Sequence, residues 1–299
     1  MKVLITGACG FIGRNLITEL EQRGHTLRLL DSTRPEDATV FSGAAERARI
    51  PLVTDWPFVL ADITDPEAMR AACDGMDAVI HLAGEPRGLP EIGVHTFRTN
   101  ALGTFVVIDS AHQAGVQRFM CASSINAYGT IFWRLSGKPA PYTHMPLDES
   151  FPPVPEDPYS LSKLVNEETC AAYHRAYDMT AIAFRFAGVW SQARYDEVMS
   201  QGLKPTTAWS DDIYQWVHVA DIVRGIRQAL EYPEPLGYGV YTLSGPDTRC
   251  PEPTMELLER FRPDLAQNVT APLPGRAPLM AIDAARRAFG YDPQYRLGD

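Results

Sequence analysis

What this 299-residue chain lacks narrows its role first. Its five cysteines (Cys9, Cys73, Cys121, Cys170 and Cys250) are odd in number, scattered and without a C-x-x-C pair. That spacing excludes a disulfide framework and a zinc site, and reads as buried thiols in a reducing compartment. No metal is expected. No basic run offsets the formal net charge of -10. An acidic surface repels phosphate backbones and anionic lipid, so nucleic acid and membrane are not expected as partners. No apolar stretch approaches the roughly 18 residues of a membrane span, and strand-like residues follow Met1 almost at once. A cytoplasmic protein is the expectation. Internal repeats and long biased segments are also missing, and 45% hydrophobic with 21% charged residues is ordinary globular composition.

What is present is an alternation of short apolar runs and helical spacings. Lys2 to Ile5, Leu27 to Leu30, Phe58 to Leu60, Ala78 to Leu82, Arg118 to Ala122 and Ala181 to Arg185 read as six buried strands. Helices are expected over Arg14 to Gln22, Pro66 to Cys73, Phe97 to Gly115 and Tyr159 to Tyr177. Such alternation predicts an α/β fold, a doubly wound parallel sheet covered on both faces. Thr33 to Trp56 is long for a link between strands and reads as a surface excursion. After Val189 the pattern turns proline-rich and irregular, with short helices at Val219 to Glu231, Pro253 to Arg262 and Ala281 to Phe289. The expected organisation is residues 1–188 as the main domain and 189–299 as a small substrate-binding lobe, with an interleaved boundary.

Gly7, Gly10 and Gly13 fall where the first strand meets the first helix. Backbone must turn tightly there and approach a ligand with no Cβ in the way. The helix N-terminus behind it offers N–H groups and a positive dipole end to a pyrophosphate. Asp31 follows Gly13 at about the 20-residue interval at which a carboxylate meets the adenosine ribose. That carboxylate repels a 2′-phosphate and points to NAD, while Arg34 leaves a route to NADP.

Tyr159 and Lys163 lie four residues apart, on one face of a helix. An ammonium beside a phenol favours the phenolate and is expected to lower its pKa from about 10 toward neutrality. The tyrosine then becomes a general acid/base. Ser123 and Ser124 end the fifth strand, at the carboxyl edge where open α/β sheets bind ligands. His81, at the end of a buried strand, reads as structural.

With these segments in place, the chain resembles an extended short-chain dehydrogenase/reductase of the NAD-dependent epimerase/dehydratase superfamily, with a Rossmann-type fold. Thr6-Gly7-Ala8-Cys9-Gly10-Phe11-Ile12-Gly13 is similar to that family's TGxxGxxG. Asp62-Ile63, Asn100-Ala101-Leu102-Gly103-Thr104, Ser123 through Gly129, Tyr159-Ser160-Leu161-Ser162-Lys163 and Val217-His218-Val219-Ala220-Asp221 resemble its later motifs. The resemblance implies that Ser124 binds the substrate oxygen, Tyr159 is the acid/base, Lys163 tunes it and grips the nicotinamide ribose, and Asn100 supports them. It implies cofactor contacts from Gly7, Gly10, Phe11, Ile12, Gly13, Asp31, Asp62, Ile63, Leu82, Ala83, Gly84, Asn100, Tyr159 and Lys163, with Ala187-Gly188-Val189 near the nicotinamide. It also implies a homodimer in which the two long helices pair across a two-fold axis. Phe105, Ile108, Ala171 and Ala172 would serve that interface as well as the core.

Departures from the family pattern narrow the chemistry. Family dehydratases carry an Asp-Glu pair where this chain has Ile125 and Asn126. Nucleotide-sugar epimerases carry an Asn where Gly188 stands, and an Arg ahead of the His218 segment, where Tyr214-Gln215-Trp216 stands. A nucleoside diphosphate site therefore looks reduced. The expected activity is NAD-dependent hydride transfer on a small sugar, sugar acid or similar hydroxylated molecule. Ser124, Ile125, Asn126 and Tyr159 would line its site, and Arg185 would pair with a carboxylate. Epimerisation with the same Ser/Tyr/Lys set is the alternative. A non-catalytic NAD sensor is a third reading, opposed by the intact Tyr159 and Lys163. The aromatics of Thr130 to Arg134, Tyr142 and His144 either stack on a sugar or pack a lid.

Overall fold

The short apolar runs close into one parallel sheet. The computed structural model describes residues 1–41, 47–131 and 134–298. In chain order the strands are β1 (Lys2–Thr6), β2 (Thr26–Asp31), β3 (Thr39–Phe41), β4 (Arg47–Arg49), β5 (Phe58–Leu60), β6 (Ala78–His81), β7 (Arg118–Ser124), β8 (Thr180–Phe186), β9 (Val189–Trp190), β10 (Val217–His218) and β11 (Tyr238–Leu243). The main sheet has the order β11-β8-β7-β6-β1-β2-β5. Its pairs are all parallel. β1 pairs with β2 on one side and β6 on the other, so the strand order reverses there and leaves a crevice at the carboxyl ends.

Side chains alternate across the sheet into two cores. Val3 and Ile5 join Leu16 and Leu20 of α1 (Phe11–Gln22) and Ile222 and Ile226 of α7 (Val219–Leu230). Leu4 joins Met69 of α2 (Pro66–Cys73), Ile108 of α4 (Gly103–Gln113) and Tyr173 of α5 (Pro158–Tyr177) on the other face.

Two elements depart from the sequence reading. The long helix expected over Phe97 to Gly115 is three pieces: α3 (Gly93–Phe97), a π-helical turn (Arg98–Leu102) and α4. The π turn holds Asn100, and such turns occur often at functional sites. The second departure is β11, a seventh strand inside the region that reads as irregular. Its first four residues are only half-buried and Gly239 leaves room for the Tyr241 ring, so the alternation that marks a strand is muted. The chain therefore leaves the sheet at Gly188 for the β9–β10 pair and α6 (Gln192–Gln201). It then returns through α7 and β11 before α8 (Thr254–Phe261), α9 (Pro263–Ala266) and α10 (Asp283–Phe289).

The excursion between β2 and β5 forms the antiparallel pair β3–β4. Among the described residues no helix is long and apolar enough to cross a membrane. Of the four residues assigned to a dimer face, Ile108 and Ala171 are buried within the chain and Phe105 and Ala172 are exposed.

Candidate active site

A groove of about 530 Å³ runs along the carboxyl ends of β1, β2, β5 and β6. Gly7, Gly10, Phe11, Ile12, Gly13, Asp31, Asp62, Ile63, Leu82, Ala83 and Gly84 all line it, whereas Tyr159 and Lys163 of the expected cofactor contacts line the adjoining cavity and Asn100 lines neither. Gly7 has φ +74°, and a Cβ there would sit 2.6 Å from the Ala83 nitrogen. A Cβ on Gly13 would overlap the Gly7 carbonyl. α1 begins behind this turn with Gly10 as N-cap, no capping side chain and no acidic residue in its first turn. Its positive end is thus open to an anion, which fits a dinucleotide pyrophosphate.

Asp31 closes the far end of the groove. Its Oδ2 accepts from the Cys9 N–H and its Oδ1 from the Thr33 N–H, each at 3.0 Å. Burial raises its pKa, and these backbone donors oppose the rise. Asp62 Oδ1 accepts from the Thr64 N–H and hydroxyl. Ile63 packs where a Cβ on Gly103 would clash, which explains the small residue in the N-x-x-G-T segment. Arg34 is exposed beside Asp31 in sequence. Thr39 and Val40 of the β3–β4 excursion also line the groove, a contribution the sequence pattern does not announce.

A smaller cavity of about 220 Å³ adjoins the groove, sharing Ile12, Leu82 and Gly84 with it and lined further by Ser124, Tyr159 and Lys163. Asp157 caps α5, accepting from the Tyr159 and Ser160 N–H groups at 2.9 Å, with Pro158 as first helical residue. This Asp-Pro start is a recognisable helix signal and fixes where Tyr159 begins. Ser124 and Tyr159 line this cavity together, and the Ser124 hydroxyl accepts from the Asn126 N–H at 3.1 Å. Lys163 Nζ donates to the Ala122 carbonyl at 2.8 Å and lies 5.5 Å from the Tyr159 ring centroid.

The expected lowering of the phenol's pKa does not occur in this arrangement. Burial pushes Tyr159 up to about 12, with Ser124 opposing the rise. Burial likewise moves Lys163 down to about 8, against the raising influence of Cys121 and Glu167. Desolvation penalises both charged forms and is the largest influence on each.

Asn100 is buried behind the cavity. Its Oδ1 accepts from the Glu85 N–H at 2.8 Å, and its Nδ2 donates to the Glu85 carbonyl and the Ser162 hydroxyl, each at 3.0 Å. It thus clips the Gly84–Glu85 backbone to α5. Gly84 is tight here: a Cβ would lie 2.9 Å from Asn100 Oδ1. His81 hydrogen-bonds Thr6 at 2.7 Å and Thr104 at 3.1 Å, one through each ring nitrogen. Burial, with Lys163 nearby, pushes its pKa down to about 3, so it is a neutral strut between the turn and the helix layer.

Arg185 is not placed to meet a substrate. Its Nε and Nη2 donate to Glu167 at 2.9 and 2.8 Å, and its guanidinium lies 4.2 Å from the Tyr128 ring centroid. Burial works against its charge, but Glu167 outweighs that and raises its pKa. Ser123 donates to the same carboxylate at 2.6 Å, so the pair braces the strand end that carries Ser124. Ile125 and Asn126 are buried, 2% and 5% exposed, and neither is among the residues lining the smaller cavity. Phe132 and Trp133 of the aromatic segment lie outside the described residues. Tyr142 is buried and donates to the Asp211 carbonyl, which is packing. Gly188 donates its N–H to Gln215 Oε1 at 2.6 Å, so both departures from the nucleotide-sugar pattern engage each other. Glu85, which lines both cavities, was not singled out from the sequence; a lone acid in a loop carries no periodic signal.

Comparison with known proteins follows the same geometry. The model of the "NAD dependent epimerase/dehydratase family" matches residues 3–243. A dTDP-glucose 4,6-dehydratase of Streptomyces niveus is 28% identical over 247 residues, 77% of this chain and 69% of that protein. An NAD-dependent glucose-6-phosphate dehydrogenase of Haloferax volcanii is 34% identical over 191 residues, 62% of this chain and 68% of the relative. Among solved structures, the UDP-glucose 4-epimerase of Thermotoga maritima with UDP-glucose superposes with a TM-score of 0.69 at 20% identity, covering 99% of this chain and 95% of that one. A short-chain dehydrogenase/reductase superfamily protein of Agrobacterium tumefaciens with bound NAD gives 0.68 at 21% identity, covering 99% and 94%. With its glycine turn, its Ser124/Tyr159/Lys163 set and a match over most of its length, the chain belongs to the NAD dependent epimerase/dehydratase family, whose cofactor is NAD.

Proposed function

We propose that the protein is an NAD-dependent oxidoreductase acting on a secondary alcohol or carbonyl of a small sugar, sugar acid or similar hydroxylated molecule. The observation that carries this reading is that Ser124, Tyr159 and Lys163 line one cavity of about 220 Å³ that adjoins the groove. NAD, when bound, supplies the hydride acceptor or donor. Ser124 holds the substrate oxygen. Tyr159 gives a proton to that oxygen in reduction or takes it in oxidation. The protonated phenol that burial favours is ready for the first role; for the second, Lys163 stands 5.5 Å from the ring centroid as the nearby cation.

Size and lining favour a compact substrate. The cavity lies below the several hundred Å³ of typical ligand sites; Gly188 stands where the family's nucleotide-sugar epimerases carry Asn, and Tyr214-Gln215-Trp216 has no Arg where they carry one. Ile125 and Asn126 supply no acid to expel water, which disfavours dehydration although dTDP-glucose dehydratases are among the relatives. The test is NADH formation across aldoses and uronates. Tyr159→Phe is expected to lower kcat by about 10²–10⁴ while NAD affinity holds. Turnover of UDP- or GDP-sugars with none of any free sugar would reverse the reading. UDP-glucose 4-epimerases among the relatives keep epimerisation as the second reading; NAD that stays with the protein through desalting supports it.

Asp31 favours NAD over NADP in this proposal, with Arg34 as the route by which a 2′-phosphate is tolerated. A homodimer is proposed as well: Val94, Leu102, Phe105 and Leu161 are exposed apolar residues on α3, the π turn, α4 and α5. A monomeric mass in light scattering would remove it.

A further inference from the structure

Among the described residues, the charged ones lining the smaller cavity are Lys163 and Glu85, and Glu85 alone of the two also lines the cofactor groove. Glu85 therefore sits at the seam between the two, on backbone that Asn100 clips to α5. Its side chain is 11% exposed, whereas that of its partner Arg87 is 49% exposed. Arg87 donates to it three times: Nε at 2.6 Å and N at 3.1 Å to Oε1, and Nη2 at 2.9 Å to Oε2. His95 Nε2 stands 4.0 Å from Oε2.

A carboxylate offers about four acceptor sites, so this one keeps capacity for a further donor. A sugar hydroxyl is such a donor, and its hydrogen bond to an ionised acceptor is of the strong, charge-assisted kind. An anionic group in the same place would meet like charge. Arg185, the cation that would have neutralised a substrate carboxylate, is committed to Glu167. The remaining cation, Lys163, is engaged by the Ala122 carbonyl at the Tyr159 end of the cavity.

Resting on the reading of the site as one for small sugars, we propose that Glu85 is the specificity-determining residue. Its carboxylate accepts a hydroxyl of the bound substrate and selects uncharged aldoses or polyols over uronates and sugar phosphates. Arg87 orients the carboxylate from the rim.

The experiment compares wild type, Glu85→Gln and Glu85→Ala. Thermal unfolding reports folding, and titration fixes the NAD concentration that saturates each variant. Sugar binding to the NAD complex is measured by thermal shift, and KM and kcat are measured for neutral aldoses, uronates and hexose phosphates. Wild type is expected to bind a neutral aldose at least tenfold tighter than the matching uronate. Both variants should unfold as cooperatively as wild type and still saturate with NAD, lose about tenfold in neutral-sugar affinity measured on the NAD-saturated protein, and narrow the preference over anions, with KM moving more than kcat. Neutral-sugar affinity unchanged in both variants overturns the inference, as does tighter binding of uronates or phosphates by wild type; either outcome leaves the hydride-transfer reading standing. Binding of none of these sugars by NAD-loaded wild type overturns that reading together with the inference.

Discussion

The two halves of the cleft are built from different materials. The cofactor half is made of backbone: Gly7 and Gly13 admit close packing, and the α1 N-terminus faces the groove. The smaller cavity, the proposed substrate half, is built on buried side chains: Lys163 on the Ala122 carbonyl, Asn100 on the Glu85 backbone, and Arg185 with Glu167 beneath Ser123. Backbone sites need only a short run of sequence. Buried polar sites need partners from distant elements, because an unpaired polar group in the interior costs free energy.

Mutations test that contrast most sharply where charge is buried. Arg185→Ala leaves Glu167 buried and unpaired, so a loss of about 3–5 kcal/mol in urea denaturation is expected. A loss below 1 kcal/mol would remove the idea that the pair braces the strand end.

Lys163 gives the opposite sign. Its pKa falls from 10.5 to about 8 on folding. A depressed ammonium costs stability below about pH 8, and the cost fades as pH rises through 8 toward 10.5. Lys163→Met is therefore expected to be more stable than wild type at pH 7, by up to about 3 kcal/mol, yet inactive. The stability difference should vanish by about pH 10.5 in pH-resolved denaturation. Activity that needs the ammonium should decline as pH rises through about 8.

On the backbone side the expected effect on stability is smaller. Gly7→Ala puts a side chain at φ +74° against the Ala83 backbone. The conformational cost alone is about 1–2 kcal/mol, and NAD affinity should fall with it, measurable by titration. Retained NAD affinity in this variant would break the contrast between the two halves.

The groove was legible in sequence because its parts are local. The glycine spacing, Asp31 and the strand ends at Asp62 and Leu82 each sit on one element, and the parallel sheet brings them to one edge. The pieces that escaped are non-local. The π turn at Asn100 departs from regular helical spacing, and Asn100 there is tied to Glu85 backbone 15 residues away. β11 is a half-buried edge strand whose alternation is muted.

By itself, then, the order of residues determined the fold class, the phosphate turn and the Ser124/Tyr159/Lys163 set, because periodicity, glycine conformation and helical spacing are short-range properties. Only the tertiary structure decided that Arg185 serves Glu167, that burial raises the Tyr159 pKa, and that Glu85 borders both cavities. Desolvation and charge pairing depend on what the rest of the chain packs around a group, and a linear sequence does not carry that.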